Sequence, residues 1–374
     1  MMGLSAARPS RPPDHRGWAL FSPPVDLAAF LGSALLSLAC LGIGGYLGLL
    51  GGDTPEWAWV VAVLLVDVAH VWATVFRVYA DPQELARAPL LYGGVPLGGF
   101  LLGVLLYHLT GEQGFWRVLA YIAVFHFVRQ QYGWVVLYRA RRGESSAWGW
   151  RIDGMAVYMA TIYPLVYWHA HLPRRFWWFM QGDFTPPRFD PAPLLTIAAA
   201  LFWITTAVYI ARALWQWRNG FTNPGKHLVM ATTAICWHVG VITFDSDYAF
   251  TVTNVLIHGI PYLVLVYAYG QDRESRSPHP RVYDIFRHGP LAFLVVLWAI
   301  AFIEELVWDR AVWHSRPGLF GSAGAVSPAA LEVLVPLLAL PQLVHYLLDG
   351  FVWKRASGPF MERLLEARPA KPGF

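Results

Sequence analysis

Four long apolar stretches of the chain each carry one histidine together with other polar side chains at helical spacing. These histidines are His70, His126, His258 and His345. An ionisable group inside hydrocarbon is costly and normally faces the interior of a helical bundle or a cavity. Neutral imidazole is a common ligand of iron, zinc and copper. The pattern therefore predicts that the four histidines bind one metal in the inner half of a membrane.

Two carboxylates lie on the same helical faces as these histidines. Asp67 precedes His70 by three residues, and Asp349 follows His345 by four, so each pair shares one side of its helix. A carboxylate beside an imidazole either binds the metal or orients the ring through its second nitrogen. We expect Asp67 to orient His70, and Asp349 or His238 to supply a fifth ligand.

The stretch that carries His126 also contains Arg129 and Gln130. Arginine does not lose its proton in a protein, so a guanidinium near mid-membrane needs an anionic partner. Asp67, Asp349 or a bound acidic ligand would satisfy it. We expect Arg129 and Gln130 to take part in catalysis by holding an anionic substrate group or a carboxylate next to the metal.

A single intramembrane histidine can instead do no more than join two helices by a hydrogen bond. This alternative stays open above all for His238, which follows His227 by eleven residues, about three helical turns, on the same face. It fits the four-histidine set less well, because each member has further polar side chains on its own face.

The composition identifies an integral membrane protein. Of the 374 residues, 56% are apolar, 16% aromatic and only 14% charged, whereas about a quarter are charged in an ordinary soluble domain. Basic residues cluster at the ends of apolar stretches, where they act as topology signals, so the net charge of +4 does not indicate a nucleic-acid partner. Cys40 and Cys236 lie in apolar runs without a C-x-x-C motif, which argues against a disulfide framework or a thiolate metal site.

The fold class expected is all-α, a polytopic membrane helical bundle of about ten transmembrane helices. Windows of about 20 apolar residues define a span. They fall at 26–50, 56–77, 88–110, 115–138, 151–171, 192–215, 227–245, 248–269, 290–308 and 329–353. We expect a cytoplasmic segment 1–24, one transmembrane domain 25–355 and a cytoplasmic tail 356–374.

The charges of the connecting segments alternate. One set carries 21 of the 28 lysines and arginines, the other set carries six, and Arg129 lies within a span. The more basic set faces the cytoplasm. Both termini are therefore expected in the cytoplasm, and we expect the membrane to be a bacterial inner (plasma) membrane.

The histidine-containing segments resemble short motifs of one known family. Val124-Phe-His-Phe127, Ile257-His-Gly259, and Pro341 to Lys354 with its His345 and Asp349 resemble helix motifs of the Brp/Blh-type β-carotene cleavage enzymes. Those are multi-span proteins in which histidines from several helices hold a single iron. The resemblance implies an iron cofactor and an isoprenoid substrate. This chain departs from the family pattern in its greater length, in Arg129-Gln130-Gln131, and in lacking paired histidines on one helix.

Two functions follow from these features. The first is a non-haem iron-dependent oxygenase that acts on a hydrophobic small molecule, a lipid or an isoprenoid, with zinc, copper and haem as open alternatives for the metal. The second is a secondary transporter in which buried His, Asp and Arg relay protons or bind an anion. The chain has no visible inverted repeat and few Gly/Pro breaks, which favours the enzyme.

The ten-span topology can be tested with reporter fusions. Fusions after Arg142 and after Arg276 are both expected to report a cytoplasmic location, because each follows a basic segment of the inner set. A location on the other side of the membrane for either fusion would contradict the span count.

Overall fold

The computed structural model describes residues 17–366 except 277, 323 and 325, and every regular element among them is helical. The predicted all-α class is confirmed. Seven of the helices are long and apolar enough to cross a membrane, which supports an integral membrane protein.

Nine long helices form the bundle. In chain order they are α1 (Pro23–Tyr46), α2 (Glu56–Tyr79), α3 (Pro89–Arg141), α4 (Ala147–Ala170), α5 (Ala192–Arg218), α6 (Pro224–Trp237, continued by the π-helical turns His238–Thr243), α7 (Asp247–Glu274), α8 (Pro290–Trp313) and α9 (Pro328–Val352). Short helices at Pro82–Arg87, Pro317–Phe320 and Pro359–Leu365, with 3₁₀ turns at Leu49–Gly51, Arg281–His288 and Arg355–Ser357, complete the described elements.

Helix α3 is two helices joined at a kink. A straight helix of 53 residues would be about 80 Å long, whereas the hydrocarbon core of a bilayer is about 30 Å thick. Gly111 breaks it with φ 68° and ψ −174°, a conformation that glycine adopts readily. The break lies between the predicted spans 88–110 and 115–138. Helices α4 and α6 coincide with two further predicted spans, but the count of ten and the orientation of the termini stay predictions.

Helix α7 lies at the centre of the bundle. In its most apolar window 89% of the residues are buried, against 17–50% in the other six candidate spans. A helix buried all round must be covered by neighbours on every side, and glycines let them approach closely. A Cβ at Gly44 of α1 would lie 2.1 Å from the ring of Tyr248, and one at Gly240 of α6 would lie 1.9 Å from Thr253.

A buried network of charges joins α3, α4, α5 and α6 at one end of the bundle. Lys226 Nζ lies 2.9 Å from Glu144 and 3.0 Å from Asp153, and Arg212 bonds to the same two carboxylates at 3.1 and 2.8 Å. Arg139 also bonds to both. Arg139, Arg212 and Lys226 belong to the more basic set of connecting segments, yet all three are paired inside the protein, where a charge must be compensated.

The segments predicted to flank the membrane domain are partly packed against it. Phe360, Met361, Leu364 and Leu365 of the helix Pro359–Leu365 are buried in the main apolar cluster. The remaining parts of the predicted segments 1–24 and 356–374, residues 1–16 and 367–374, lie outside the described residues.

Removing the Glu144 carboxylate is expected to destabilise the protein. Burial alone would raise the pKa of Glu144, but Lys226, Asn223 and Arg139 lower it to about 2. Its stabilising contribution is therefore complete above the ordinary pKa of 4.5 and is lost as the pH falls through about 2. Glu144→Gln should reduce the free energy of unfolding by about 3–5 kcal/mol, measured as a lower unfolding temperature in detergent.

The matched control is Glu112→Gln, because Glu112 is exposed and its neutralisation should leave the unfolding temperature unchanged. Equal unfolding temperatures for the two variants at pH 7 would contradict a structural role of the charge network.

Candidate metal centre

Helix α2 places His70 between two widened segments. The ordinary helical turns Ala69–Thr74 are flanked by the π-helical stretches Val60–Val68 and Val75–Tyr79. Such widened turns occur frequently at functional sites because they redirect side chains. His70 is buried, with 1% of its surface exposed, and it faces α7.

The second part of α3 positions both His126 and the histidine of α7. The ring of Phe127 stacks on His258 with centroids 3.5 Å apart and planes 8° apart. Gln130 Nε2 donates a hydrogen bond of 2.8 Å to the backbone oxygen of His258. His126 and His258 are both buried. Helix α3 therefore contributes one ring and fixes a second.

Helix α9 supplies the fourth histidine after a break at Ala339, between the helical segments Pro328–Leu338 and Leu340–Val352. His345 is fully buried, and its Nδ1 lies 2.8 Å from Thr74 Oγ1. That hydrogen bond occupies one ring nitrogen and leaves Nε2 to face the other histidines.

The four rings form a closed circuit. Neighbouring centroids are 4.8 Å apart for His70 and His258, 5.1 Å for His258 and His126, 4.6 Å for His126 and His345, and 4.8 Å for His345 and His70. One ligand nitrogen from each ring lies within 4.8 Å of the others. The structure thus brings the four predicted histidines together.

The spacing fits one metal ion. A metal–nitrogen bond of about 2.1 Å puts a ring centroid about 3.2 Å from the ion, so ligands separated by about 90–109° have centroids about 4.5–5.2 Å apart. The observed sides of 4.6–5.1 Å fall in this range. The circuit has the size of a mononuclear centre.

The nitrogens at the centre lack protein partners. Within the described part of the chain, Nε2 of His126 and Nε2 of His345 are buried and accept or donate no hydrogen bond. Such atoms are rare in native structures and call for an explanation. His70 Nε2 lies 3.1 Å from His258 Nε2. That distance fits either a hydrogen bond between two neutral rings or two ligands at about 90° on one ion.

Each of the four histidines is followed four residues later, about one helical turn along, by another polar side chain. These residues are Thr74, Gln130, Tyr262 and Asp349. Three of them meet: Tyr262 Oη donates to Asp349 Oδ1 at 2.8 Å and lies 3.2 Å from Thr74 Oγ1. The same (i, i+4) spacing in the sequence is the signal that could have placed Thr74 and Tyr262 at the site.

Asp67 and Asp349 both lie beside the centre. Asp67 Oδ1 is 3.5 Å from His70 Nδ1, a position from which it can orient the ring. Asp349 lies 3.9 Å from His126 Nε2 and 3.9 Å from His345 Nδ1. Asp349 therefore neighbours two of the four histidines, and its role as a fifth ligand stays a prediction.

The structure does not bring His238 and Arg129 to the centre. His238 lies on the π-helical turn of α6 that faces α4 and α5, with ring centroids 6.3 Å from Tyr163 and Phe202. Arg129 is exposed; its long side chain extends towards α4, donates to Tyr158 and lies 4.9 Å over the ring of Tyr132. Arg129 therefore lies on the outer surface of the bundle against α4 and does not pair with Asp67 or Asp349.

A cavity of about 610 Å³ extends from side chains that contact the centre to one end of the bundle. Its inner wall includes Asp67, Phe127 and Tyr346. The carboxylate of Asp67 lies beside His70, the ring of Phe127 stacks on His258, and the ring of Tyr346 packs against His126. Its outer wall is formed by connecting segments near Asp53 and Arg316.

Comparison of the chain with models of known protein families, with curated proteins and with solved structures found no match. The arrangement of the four histidines is therefore what indicates a metal centre.

Close packing of α2 on α7 should control how well the centre forms. A Cβ at Gly259 would lie 2.6 Å from Val66 Cγ1 and 3.3 Å from the Val66 backbone oxygen. Gly259→Ala is expected to push the two helices apart, to separate His70 from His258, and to lower metal affinity by about 10–100-fold. The measurement is a titration of chelator-treated protein with Fe²⁺ or Zn²⁺.

Two further variants check this interpretation. Gly133→Ala meets nothing within 4 Å and should bind metal like the wild type, whereas Val66→Ala combined with Gly259→Ala should recover part of the affinity. Unchanged affinity in Gly259→Ala alone would show that the spacing of α2 and α7 does not matter.

Proposed function

We propose that this protein is an integral membrane metalloenzyme, a non-haem iron-dependent oxygenase, whose single metal is held by His70, His126, His258 and His345. The observation that carries the proposal is the closed circuit of four buried rings, each offering a nitrogen to one point. Four neutral imidazoles buried together are costly unless they share a cation.

The donor set is compatible with iron. Imidazole suits iron, copper and zinc alike, and iron is proposed because of the resemblance to the Brp/Blh-type enzymes. Iron bound there would supply dioxygen activation for the oxidation of a carbon–hydrogen or carbon–carbon double bond. The buried, aromatic surroundings suit a lipid or isoprenoid-like substrate, as the resemblance to the Brp/Blh-type enzymes also implies.

The chain's own groups have separate tasks in this proposal. Thr74 holds His345 through Nδ1, so that Nε2 is directed at the metal. Asp67 orients His70 from 3.5 Å. Tyr262 binds Asp349 and Thr74 together, which fixes α2, α7 and α9 one turn from the ligands. Phe127 and Tyr346 separate the ligands from the cavity and limit access of water.

The transporter alternative is less well supported by this geometry. It combines buried His, Asp and Arg to relay protons or bind an anion, and Arg129, the arginine of the fourth predicted span, lies on the surface of the bundle and bonds to Tyr158. The carboxylates nearest the histidines, Asp67 and Asp349, favour binding of a cation instead.

Metal analysis of detergent-purified protein tests the proposal. We expect about one iron per chain in the wild type and a large loss in His345→Asn and His126→Asn, because each removes one of four ligands. His171→Asn is the matched control: His171 is exposed and its Nδ1 bonds only to the Tyr167 backbone among the described residues, so its metal content should not change.

Elution as a single folded species in size-exclusion chromatography is required for every variant in this comparison. Folded wild-type protein that takes up no transition metal, or His345→Asn protein that keeps a full equivalent, would contradict the proposal. A full equivalent of zinc or copper in place of iron would keep the centre and overturn the oxygenase.

A further inference from the structure

The cavity beside the metal centre has the size of a binding site for an organic molecule. Its volume of about 610 Å³ lies within the range of about 300–1,000 Å³ typical of ligand pockets. Its inner wall is one layer from the histidines, through Phe127 on His258 and Tyr346 on His126. A molecule bound there would lie one side-chain layer from the metal.

Aromatic rings form much of the wall. Trp116 packs against Phe179, Trp308 and Trp313 with centroids 5.0–5.5 Å apart, and all four residues line the cavity. Aromatic faces bind apolar groups and also attract cations through the negative potential of the ring face.

The polar groups of the wall are mainly hydrogen-bond acceptors without partners. Oδ1 of Asn254 and Oε1 of Gln342 are buried and unpaired within the described residues, and Asn254 is 2% exposed. Glu305, 9% exposed, makes no hydrogen bond or ion pair in that part of the chain and interacts only electrostatically with Arg316. Asp67 adds a second carboxylate, 33% exposed to the cavity.

Three other charged groups of the wall are already engaged. Asp247 accepts hydrogen bonds from Thr54, and Asp309 accepts them from Ser315 and Arg316. Arg316 itself lies 4.0 Å over the ring of Trp59. The groups left to bind a ligand are therefore mainly acceptors: the carboxylates of Asp67 and Glu305 inside the cavity, Asp53 at its exposed rim, and the two amide oxygens. The indole Nε1 of Trp116, buried and unpaired among the described residues, adds one donor.

An ammonium group is the chemical complement of this wall. It carries a positive charge and up to three donors and no acceptor, so it can neutralise a carboxylate and satisfy the amide oxygens together. An anionic head group would meet the carboxylates with like charge. The apolar rings then require that the rest of the ligand be aromatic or aliphatic.

We propose that the cavity binds the substrate of the metal centre and that this substrate is an amphipathic amine, with its ammonium group at Glu305, Asp67 and Asn254 and its apolar body against the tryptophans. That the bound amine is a substrate depends on the proposed function, but its binding to the cavity does not require the metal. The mouth lies at the end of the bundle near residues 53 and 316, which the charge pattern of the sequence predicts to face away from the cytoplasm.

Four water-soluble probes of similar size separate charge from hydrogen bonding: benzylammonium, benzyltrimethylammonium, benzyl alcohol and benzoate. Their binding to full-length protein in phosphatidylcholine nanodiscs is measured by isothermal titration calorimetry. We expect benzylammonium to bind most tightly, benzyltrimethylammonium more weakly because it has no N–H donors, and benzoate not at all.

Variants locate the site. Glu305→Gln and Asn254→Leu should each weaken benzylammonium binding by about tenfold, which corresponds to about 1.4 kcal/mol. Glu332→Gln is the control, since this carboxylate is exposed, bonds to His108 and does not line the cavity. Binding of benzyl alcohol or benzoate as tight as that of benzylammonium, or affinities unchanged in both cavity variants, would overturn the proposal.

The metal content of the same samples separates this test from that of the proposed function. Iron-loaded protein that binds no benzylammonium would overturn the amine substrate and leave the metalloenzyme in place. Metal-free protein that binds benzylammonium at Glu305 would support the binding site and overturn the metalloenzyme.

Discussion

Burial of four imidazoles at one point is the constraint on which the rest of this structure depends. Each ring brings polar nitrogens into an apolar bundle, and each such atom must be paired or bind a cation. The pairing determines which faces of α2, α3, α7 and α9 turn inwards. Helix α7 is covered on all sides because its histidine has to meet rings from three neighbours.

A second polar layer makes that convergence rigid. Residues four positions past each histidine lie one turn further along the same face, and three of them, Thr74, Tyr262 and Asp349, bond to one another. Gln130 instead bonds to the backbone of α7 at His258. The four histidines are therefore supported by contacts between helices rather than by their own rotamers alone, an arrangement that suits a preorganised metal site.

Buried polar groups are paired at one end of the bundle and unpaired at the histidine centre and in the cavity. At one end, Glu144 and Asp153 both pair with Lys226 and two arginines, an arrangement that holds four helices together. At the centre and in the cavity, nitrogens of His126 and His345 and oxygens of Asn254 and Gln342 have no partner among the described residues. Unpaired buried groups of this kind are where a metal or a ligand can gain binding energy.

Composition and periodicity by themselves determined that the chain is helical, where most of its helices lie, and which four histidines face inwards, because hydropathy and the 3.6-residue repeat are local properties. Contacts between helices were decided only by the tertiary structure. Arg129 and His126 are three residues apart, yet one side chain leaves the bundle and the other enters the centre. His238 resembles the four ligands in sequence but faces α4 and α5. Gly259 shows the physical reason: how closely two helices approach depends on the atoms that meet across their interface, and a single helix does not specify its partner.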